Sequence, residues 1–157
     1  MAFIFSGCSG SRQTQADLTL NAATVKSMVE NKNFVFVALS VTPMTGRRRE
    51  LTSSYQISIL KDTIISYLPF FGRGYIAPVS PTDIDFDFTS AKFSYAATPA
   101  KKGWNILIKP SDQKYLQQLY FRVFENGTAS LNVTSVDRSF ISYSGYIKER
   151  ATKKRSP

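Results

Sequence analysis

The sequence contains no histidine and only one cysteine among its 157 residues. Without histidine, the chain lacks the side chain that most often acts as a general base near neutral pH. A single cysteine excludes an internal disulfide, and a chain without histidine cannot form the common cysteine–histidine zinc sites. We therefore expect a protein that is not an enzyme and that uses no cofactor.

Long apolar runs are also missing, since none approaches the roughly 20 residues that a membrane-spanning helix needs. The composition is nevertheless that of a folded domain, with 43% hydrophobic and 13% aromatic residues. A chain of this length builds one hydrophobic core. We therefore predict a single domain over residues 16–147, followed by a basic, flexible tail over residues 148–157.

The formal net charge of +9 is concentrated in two places. Residues 148–155 carry five basic side chains against one acid, and residues 46–50 carry three against one. A nucleic-acid-binding face would place basic residues along one structured element, among stacking aromatics. Here they fall in a predicted turn and at the end of the chain. We expect no nucleic-acid partner; the alternative to a solvated tail is contact with an anionic lipid or another acidic surface.

The cysteine stands in a distinctive local sequence, Phe5-Ser6-Gly7-Cys8, in which an apolar residue and two small residues precede it. This pattern resembles the lipobox of bacterial lipoproteins, which implies cleavage before Cys8 and acylation of its sulfur and amino group. Several acyl chains anchor a protein stably, because each buried methylene adds ~0.8 kcal/mol. The other interpretation is a buried or unmodified cysteine.

The resemblance also divides the start of the chain. Residues 1–8 become a truncated lipoprotein signal and residues 9–15 a polar tether. Only seven residues precede Cys8 and none is basic, so we expect the true translation start to lie upstream.

Apolar residues in the first part of the domain recur at spacings of three and four, which predicts one helix over residues 16–32. From residue 33 the period changes to two, which indicates strands. Asn126-Gly127 is a strong hairpin signal, and Lys61-Asp62 suits a tight turn. The predicted strands are residues 33–41, 54–60, 63–68, 83–88, 93–95, 104–108, 115–124, 129–133 and 139–147.

This pattern predicts an all-β, mainly antiparallel fold with one N-terminal helix. About eight or nine short strands at this spacing are typical of a meander that forms a barrel-like sheet or a sandwich. The two share one strand pattern, and the short connections favour antiparallel neighbours in both. The strand at residues 33–41 is apolar on both faces, so we expect both faces to be covered.

Four segments together resemble one protein family. They are "SYLPFFGRGYIAP" (residues 66–78), "KKGWNILIKPSD" (101–112), "FRVFENGTASLNV" (121–133) and "DRSFISYSG" (137–145). Together they are similar to envelope proteins of Bacteroidota grouped as domain-of-unknown-function family 4251 (DUF4251), over residues 29–147. Such proteins typically carry a lipoprotein signal, so the resemblance implies an envelope location. It implies no activity and no functional residues.

One segment of this match is a candidate binding site. Arg73 stands between two glycines in a predicted loop that is crowded by four rings, those of Tyr67, Phe70, Phe71 and Tyr75. Either these rings pack as a plug at one end of the sheet, or they line a pocket in which Arg73 binds an anion. The second interpretation predicts a small acidic ligand.

A second candidate is the alternation of acidic and apolar residues at residues 83–88. Asp83, Asp85 and Asp87 would project from one side of a strand, which is typical of an exposed polar face. They are a weak candidate for a calcium site if the strand bends. A hydrolase that uses this carboxylate face is a remote alternative.

We therefore expect a non-catalytic domain of the bacterial cell envelope, attached to the membrane through lipid on Cys8. No acid lies between Cys8 and Asp17, whereas surface-directed lipoproteins of this phylum tend to place acids there, so we expect it to face the periplasm from the outer membrane. Its work would be to bind a ligand or an envelope protein, or to act as an accessory protein. A ligand carrier should enclose a cavity of a few hundred Å³; a filled interior would favour interaction at the surface.

Overall fold

The computed structural model describes residues 20–71 and 86–151. Within them, one helix is followed by nine strands that form a single, nearly closed, barrel-like sheet. The elements are α1 (Ala22–Glu30), β1 (Phe34–Pro43), β2 (Arg49–Ile59), β3 (Ile64–Leu68), β4 (Phe86–Ser90), β5 (Phe93–Ala100), β6 (Gly103–Pro110), β7 (Leu116–Phe124), β8 (Thr128–Ser135) and β9 (Ile141–Lys148). The all-β, antiparallel prediction is confirmed, and the sheet is barrel-like.

The order of strands in the sheet is β4-β3-β2-β1-β9-β8-β7-β6-β5, and every neighbouring pair is antiparallel. Strands adjacent in sequence are therefore adjacent in the sheet, except β4 and β5, which lie at its two edges. The first strand pairs with the last, which joins the two halves of the meander. The hairpin at Asn126-Gly127 lies between β7 and β8 as predicted, with Gly127 at a φ of 88°.

The helix is shorter than predicted, because a cap fixes its start. The side-chain oxygen of Asn21 accepts a hydrogen bond from the backbone N–H of Thr24 at 2.8 Å, which satisfies a donor that has no partner inside the helix. Residues 20 and 21 therefore precede the helix. The predicted helix, which starts at residue 16, is wrong at these two positions. The predicted apolar stripe is present, since Val25, Met28 and Val29 are buried.

The helix is tied to the barrel near both of its ends. The backbone N–H of Leu20 donates to the carbonyl of Asn126 in the β7–β8 turn at 3.2 Å. The hydroxyl of Tyr95 on β5 donates to the carbonyl of Val29 at 2.8 Å. Burial raises the pKa of the Tyr95 hydroxyl, which keeps it protonated as a donor. We call the end of the barrel at the β7–β8 turn, where the chain enters through Leu20, the entry end.

Side chains that meet across the barrel fill its interior. The ring of Phe121 on β7 lies edge-on to Phe34 and Phe36 on β1, with centroids 6.0 and 5.7 Å apart. Strands β8 and β9 separate β7 from β1 in the sheet, so these rings touch through the core. Similarly, the hydroxyl of Tyr143 on β9 donates to the carbonyl of Pro69, just beyond β3, at 2.5 Å. These contacts leave the described centre of the barrel packed.

The barrel bends sharply where β1 pairs with both of its neighbours. The register of both pairings shifts between Ala38 and Ser40, which marks a β-bulge. Leu39, between them, is 49% exposed, whereas Val35 is buried. The prediction that both faces of this strand are covered is thus right near its start and wrong at the bulge. Gly145 of β9 lies opposite Ala38, and a Cβ there would collide with the carbonyl oxygen of Val37.

The two edge strands, β4 and β5, are continuous with one another. Nine strands in a row make eight antiparallel pairings, an even number, so β4 and β5 run in the same direction. Parallel neighbours need a crossover of a dozen or more residues, but only residues 91 and 92 separate these strands. They therefore act as one bent strand, whose first half pairs with β3 and whose second half pairs with β6.

The side chain of Asp112, in the β6–β7 loop, holds this bend. One carboxylate oxygen accepts from the hydroxyl of Ser90 at 2.5 Å. The other accepts from the backbone N–H groups of Ala91 at 2.8 Å and Lys92 at 3.2 Å. The hydrogen bond from Ser90, helped by the backbone donors, lowers the pKa of the Asp112 carboxyl, because these bonds favour its charged form.

We expect Gly145→Ala to lower the free energy of unfolding by about 2 kcal/mol, because the added methyl collides with a rigid backbone carbonyl. Urea denaturation measures the change. Gly46→Ala is the matched control: Gly46 lies in an exposed turn, and its added Cβ would meet only the ring of Pro43, at 3.3 Å. The control should change stability by less than about 0.5 kcal/mol. Equal effects of the two substitutions would contradict the close approach at Gly145.

We expect Asp112→Asn to lower Tm at pH 7. Because the folded-state pKa is lowered, the charged carboxylate stabilises the fold above its ordinary pKa of 3.8, and this contribution is lost as pH falls through the folded-state value. The difference in Tm between the two proteins should therefore narrow in acid. Asp87→Asn, at an exposed position on β4, is the control. A difference that stays constant down to acid pH would show that the carboxylate charge does not hold the bend.

Candidate functional site

The predicted aromatic cluster is divided between the core and the surface. Phe70 is buried and lies edge-on to Phe86, with centroids 5.4 Å apart. The guanidinium carbon of Arg138 lies 5.2 Å from the ring centroid of Phe70 and 5.1 Å from that of Phe86. Arg138 also pairs with Asp137 at 3.3 Å, and both side chains are mostly buried. Phe70 therefore belongs to the packed core, as the plug interpretation predicts for this ring.

Two other members of the cluster are exposed. Tyr67 is 49% exposed and Phe71 is 41% exposed. The ring of Tyr67 lies against Tyr55, with centroids 5.5 Å apart, and Phe71 lies under the guanidinium of Arg49 at 5.4 Å. The remaining members, Arg73 and Tyr75, lie outside the described residues. An anion pocket around Arg73 therefore stays a prediction.

The acidic triplet and the cysteine can be compared with the structure only in part. Asp87 is exposed on β4, opposite Tyr67 in register. Asp83, Asp85 and Cys8 lie outside the described residues, so the calcium site, the hydrolase and the lipid attachment stay predictions. Among residues 20–71 and 86–151, no group of three histidine, cysteine or acidic side chains could hold a metal ion. In the same part of the chain, no helix is long and apolar enough to cross a bilayer.

A cleft that the sequence did not predict lies at the end of the β5–β6 hairpin, and we call it the β5–β6 cleft. It is half open and has a volume of about 150 Å³. Gly103 helps to form it: this residue lies opposite Phe124, and a Cβ there would collide with the carbonyl oxygen of Val123. The lining residues are Ala100, Lys101, Lys102, Gly103, Trp104, Arg122, Val123 and Phe124.

The cleft combines positive charge with aromatic walls. Arg122 and Phe124 are two residues apart on β7, so they share a face, and the guanidinium carbon lies 5.3 Å from the centroid of the ring. Lys101 and Lys102 form the turn of the hairpin, and the carbonyl of Lys102 accepts from the backbone N–H of Glu125 at 3.0 Å. Across the described residues, no ion pair involves any of the three cations. The lining therefore carries three cations and no acid, and the nearest acidic residue in the chain, Glu125, follows Phe124 directly.

The comparisons with known proteins concern the family and the fold. The family model DUF4251, described as a domain of unknown function, matches residues 17–147. A crystal structure of a DUF4251 family protein from Bacteroides eggerthii DSM 20697 is similar, with a TM-score of 0.63 and 15% sequence identity over 87% of this chain and 92% of that chain. At that identity the likeness supports the fold alone. No match is found among the curated proteins.

Phe70 and Phe71 form a matched pair for testing the division between core and surface. We expect Phe70→Ala to cost about 3 kcal/mol of unfolding free energy, because it leaves a cavity beneath Arg138. Phe71→Ala should cost less than about 1 kcal/mol, since it removes only an exposed contact with Arg49. Chemical denaturation of both variants gives the comparison. Similar losses for both would mean that Phe70 is not part of the core.

Proposed function

The chain belongs to the DUF4251 family, and from this premise we propose that it is a non-catalytic binding domain of the bacterial cell envelope. Lipid on Cys8 anchors it to the membrane, and the domain faces the periplasm from the outer membrane. It binds its ligand or envelope protein partner at the outer surface of the barrel.

The observation that carries this proposal is the packing of the barrel interior between the described strands β1, β7 and β9. A carrier for a drug-sized ligand needs a pocket of about 300–1,000 Å³. The contact of Phe121 with Phe34 and Phe36 occupies the space between β1 and β7. Tyr143 and Pro69 join β9 to the end of β3 in the same way. Binding through the interior would require these contacts to separate, so the surface is the better candidate.

The anchor is supported by the sequence before the domain. Phe5-Ser6-Gly7-Cys8 has the residue types of a lipobox, and residues 9–15 are polar. The twelve residues from Cys8 to Leu20 can span at most about 40 Å when fully extended. A lipid on Cys8 would therefore keep the entry end of the barrel close to the bilayer.

A non-catalytic role is supported by residue types. The chain has no histidine, so a general base would have to be a carboxylate, a lysine or a tyrosine with a shifted pKa. The two described groups with a shifted pKa both stabilise the fold. The hydroxyl of Tyr95 bonds to the helix, and the carboxylate of Asp112 bonds to the bent strand. Neither lines the β5–β6 cleft.

Mass spectrometry of the protein isolated from its native membranes tests both parts of the proposal. We expect an amino terminus at Cys8 that carries covalent acyl chains, and no further apolar ligand under non-denaturing conditions. Cys8→Ser should release the protein from the membrane fraction, whereas Ser9→Ala, the matched control, should leave it there. An unmodified thiol at Cys8 would reject the anchor. A non-covalent lipid bound one-to-one, and still bound when Arg122 of the β5–β6 cleft is replaced by glutamine, would reject surface binding in favour of a carrier.

A further inference from the structure

We propose that the β5–β6 cleft binds the phosphate group of a phosphomonoester. This inference names the class of ligand that the outer surface binds. It rests on the proposed function in one respect, that binding occurs at the outer surface of the barrel. It does not require the lipid anchor. The residues that would contact the phosphate are Lys101, Lys102 and Arg122.

The charge of the cleft matches a phosphate better than a single carboxylate. Lys101, Lys102 and Arg122 all line a space of about 150 Å³. A phosphomonoester carries about −1.5 to −2 charges at pH 7 and three strong acceptor oxygens, whereas a carboxylate carries one charge. The planar guanidinium offers two parallel donors to phosphate oxygens, and lysine acts as a point charge beside it. The guanidinium is partly positioned by its contact with the ring of Phe124.

The size and walls of the cleft limit the ligand further. A volume of about 150 Å³ is below that of pockets that enclose drug-sized ligands, which are about 300 Å³ or more. The cleft therefore holds the charged group while the rest of the molecule stays outside. Trp104 is half buried and Phe124 is partly exposed, so both can contact a polar ring or glycerol unit next to the phosphate.

The shape of the positive surface favours a terminal phosphate over a nucleic acid. Proteins that bind single strands place cations along a groove that follows the backbone, with several bases stacked on successive aromatics. Here the three cations converge at one hairpin turn and one strand end. A phosphomonoester, in which one oxygen is esterified and three are free to accept hydrogen bonds, fits that arrangement.

The cleft lies at the entry end of the barrel. Leu20 bonds to Asn126 in the β7–β8 turn, and Glu125 of the same turn bonds to Lys102. A site at this end of the barrel can bind a phosphate on a lipid headgroup. It can equally bind a phosphate on a soluble ester. The experiment distinguishes these two sources.

Titration of the 157-residue chain with inorganic phosphate at low ionic strength, followed by two-dimensional amide NMR and calorimetry, tests the site. We expect shifts concentrated at Lys102, Gly103 and Arg122. Arg122→Gln and the double variant Lys101→Gln/Lys102→Gln should each weaken binding by about threefold or more, the effect of losing exposed charge pairs. Lys109→Gln is the matched control, because Lys109 is exposed on β6, which supplies Gly103 and Trp104 to the cleft, but does not itself line the cleft.

Three results would overturn the proposal. The affinity for phosphate could be unchanged in both variants, acetate could bind as tightly as phosphate at equal ionic strength, or a short single-stranded oligonucleotide could bind far more tightly through the same residues.

A comparison of vesicles that contain phosphatidic acid with vesicles of phosphatidylcholine identifies the source of the phosphate. Cleft-dependent binding to the former supports a lipid phosphomonoester, and phosphate binding without vesicle binding supports a soluble one. Because the protein tested carries no lipid, failure of the anchor at Cys8 leaves these results interpretable.

Discussion

The closure of the barrel depends on one bent strand, formed by β4 and β5, which pairs with β3 in its first half and with β6 in its second half. Strands β4 and β5 run in the same direction and are linked by two residues, so backbone pairing between them cannot close the sheet. The chain closes it instead, by bending at residues 90–92. A bend of this kind exposes backbone donors, and the carboxylate of Asp112 accepts from two of them and from Ser90. The β6–β7 loop is thereby fixed to the bend, and the register of β5 against β6 follows.

Much of this fold could be predicted because strands reveal themselves locally. The alternation of Ile57 and Ile59 with polar residues in β2, and of Leu131 and Val133 with polar residues in β8, follows from a sheet with one buried face. The start of β2 was missed because residues 49–53 are mostly exposed and polar, and a strand without a buried face has no such alternation. The cap at Asn21 and the contact of Asp112 with the bend were missed for another reason. Each depends on a specific hydrogen bond, and the contact of Asp112 with Ser90 joins residues 22 positions apart.

The candidate site could be predicted less well than the fold. Phe70 and Phe71 are adjacent in an apolar run, and nothing in the run itself indicates that one enters the core while the other meets Arg49. The β5–β6 cleft was missed because its residues come from two segments about 20 positions apart. Register brings them together, placing Gly103 opposite Phe124. A local signal was present in Lys101-Lys102 beside Gly103 and Trp104, but its meaning depends on Arg122 across the strand pair.

A small, half-open cleft binds its ligand weakly. It can serve as a functional site only where weak binding is sufficient for the protein's role. Exposed charge pairs contribute about 0–1 kcal/mol each, so three cations alone give modest affinity for a free anion. An anchor changes this requirement. A short flexible linker makes the second contact effectively intramolecular, at an effective concentration on the order of millimolar. If lipid on Cys8 holds the entry end close to the bilayer, headgroup phosphomonoesters meet the cleft at that concentration. The proposed anchor and the proposed cleft would then act as two weakly selective contacts whose combination is selective for a membrane surface that carries phosphomonoesters.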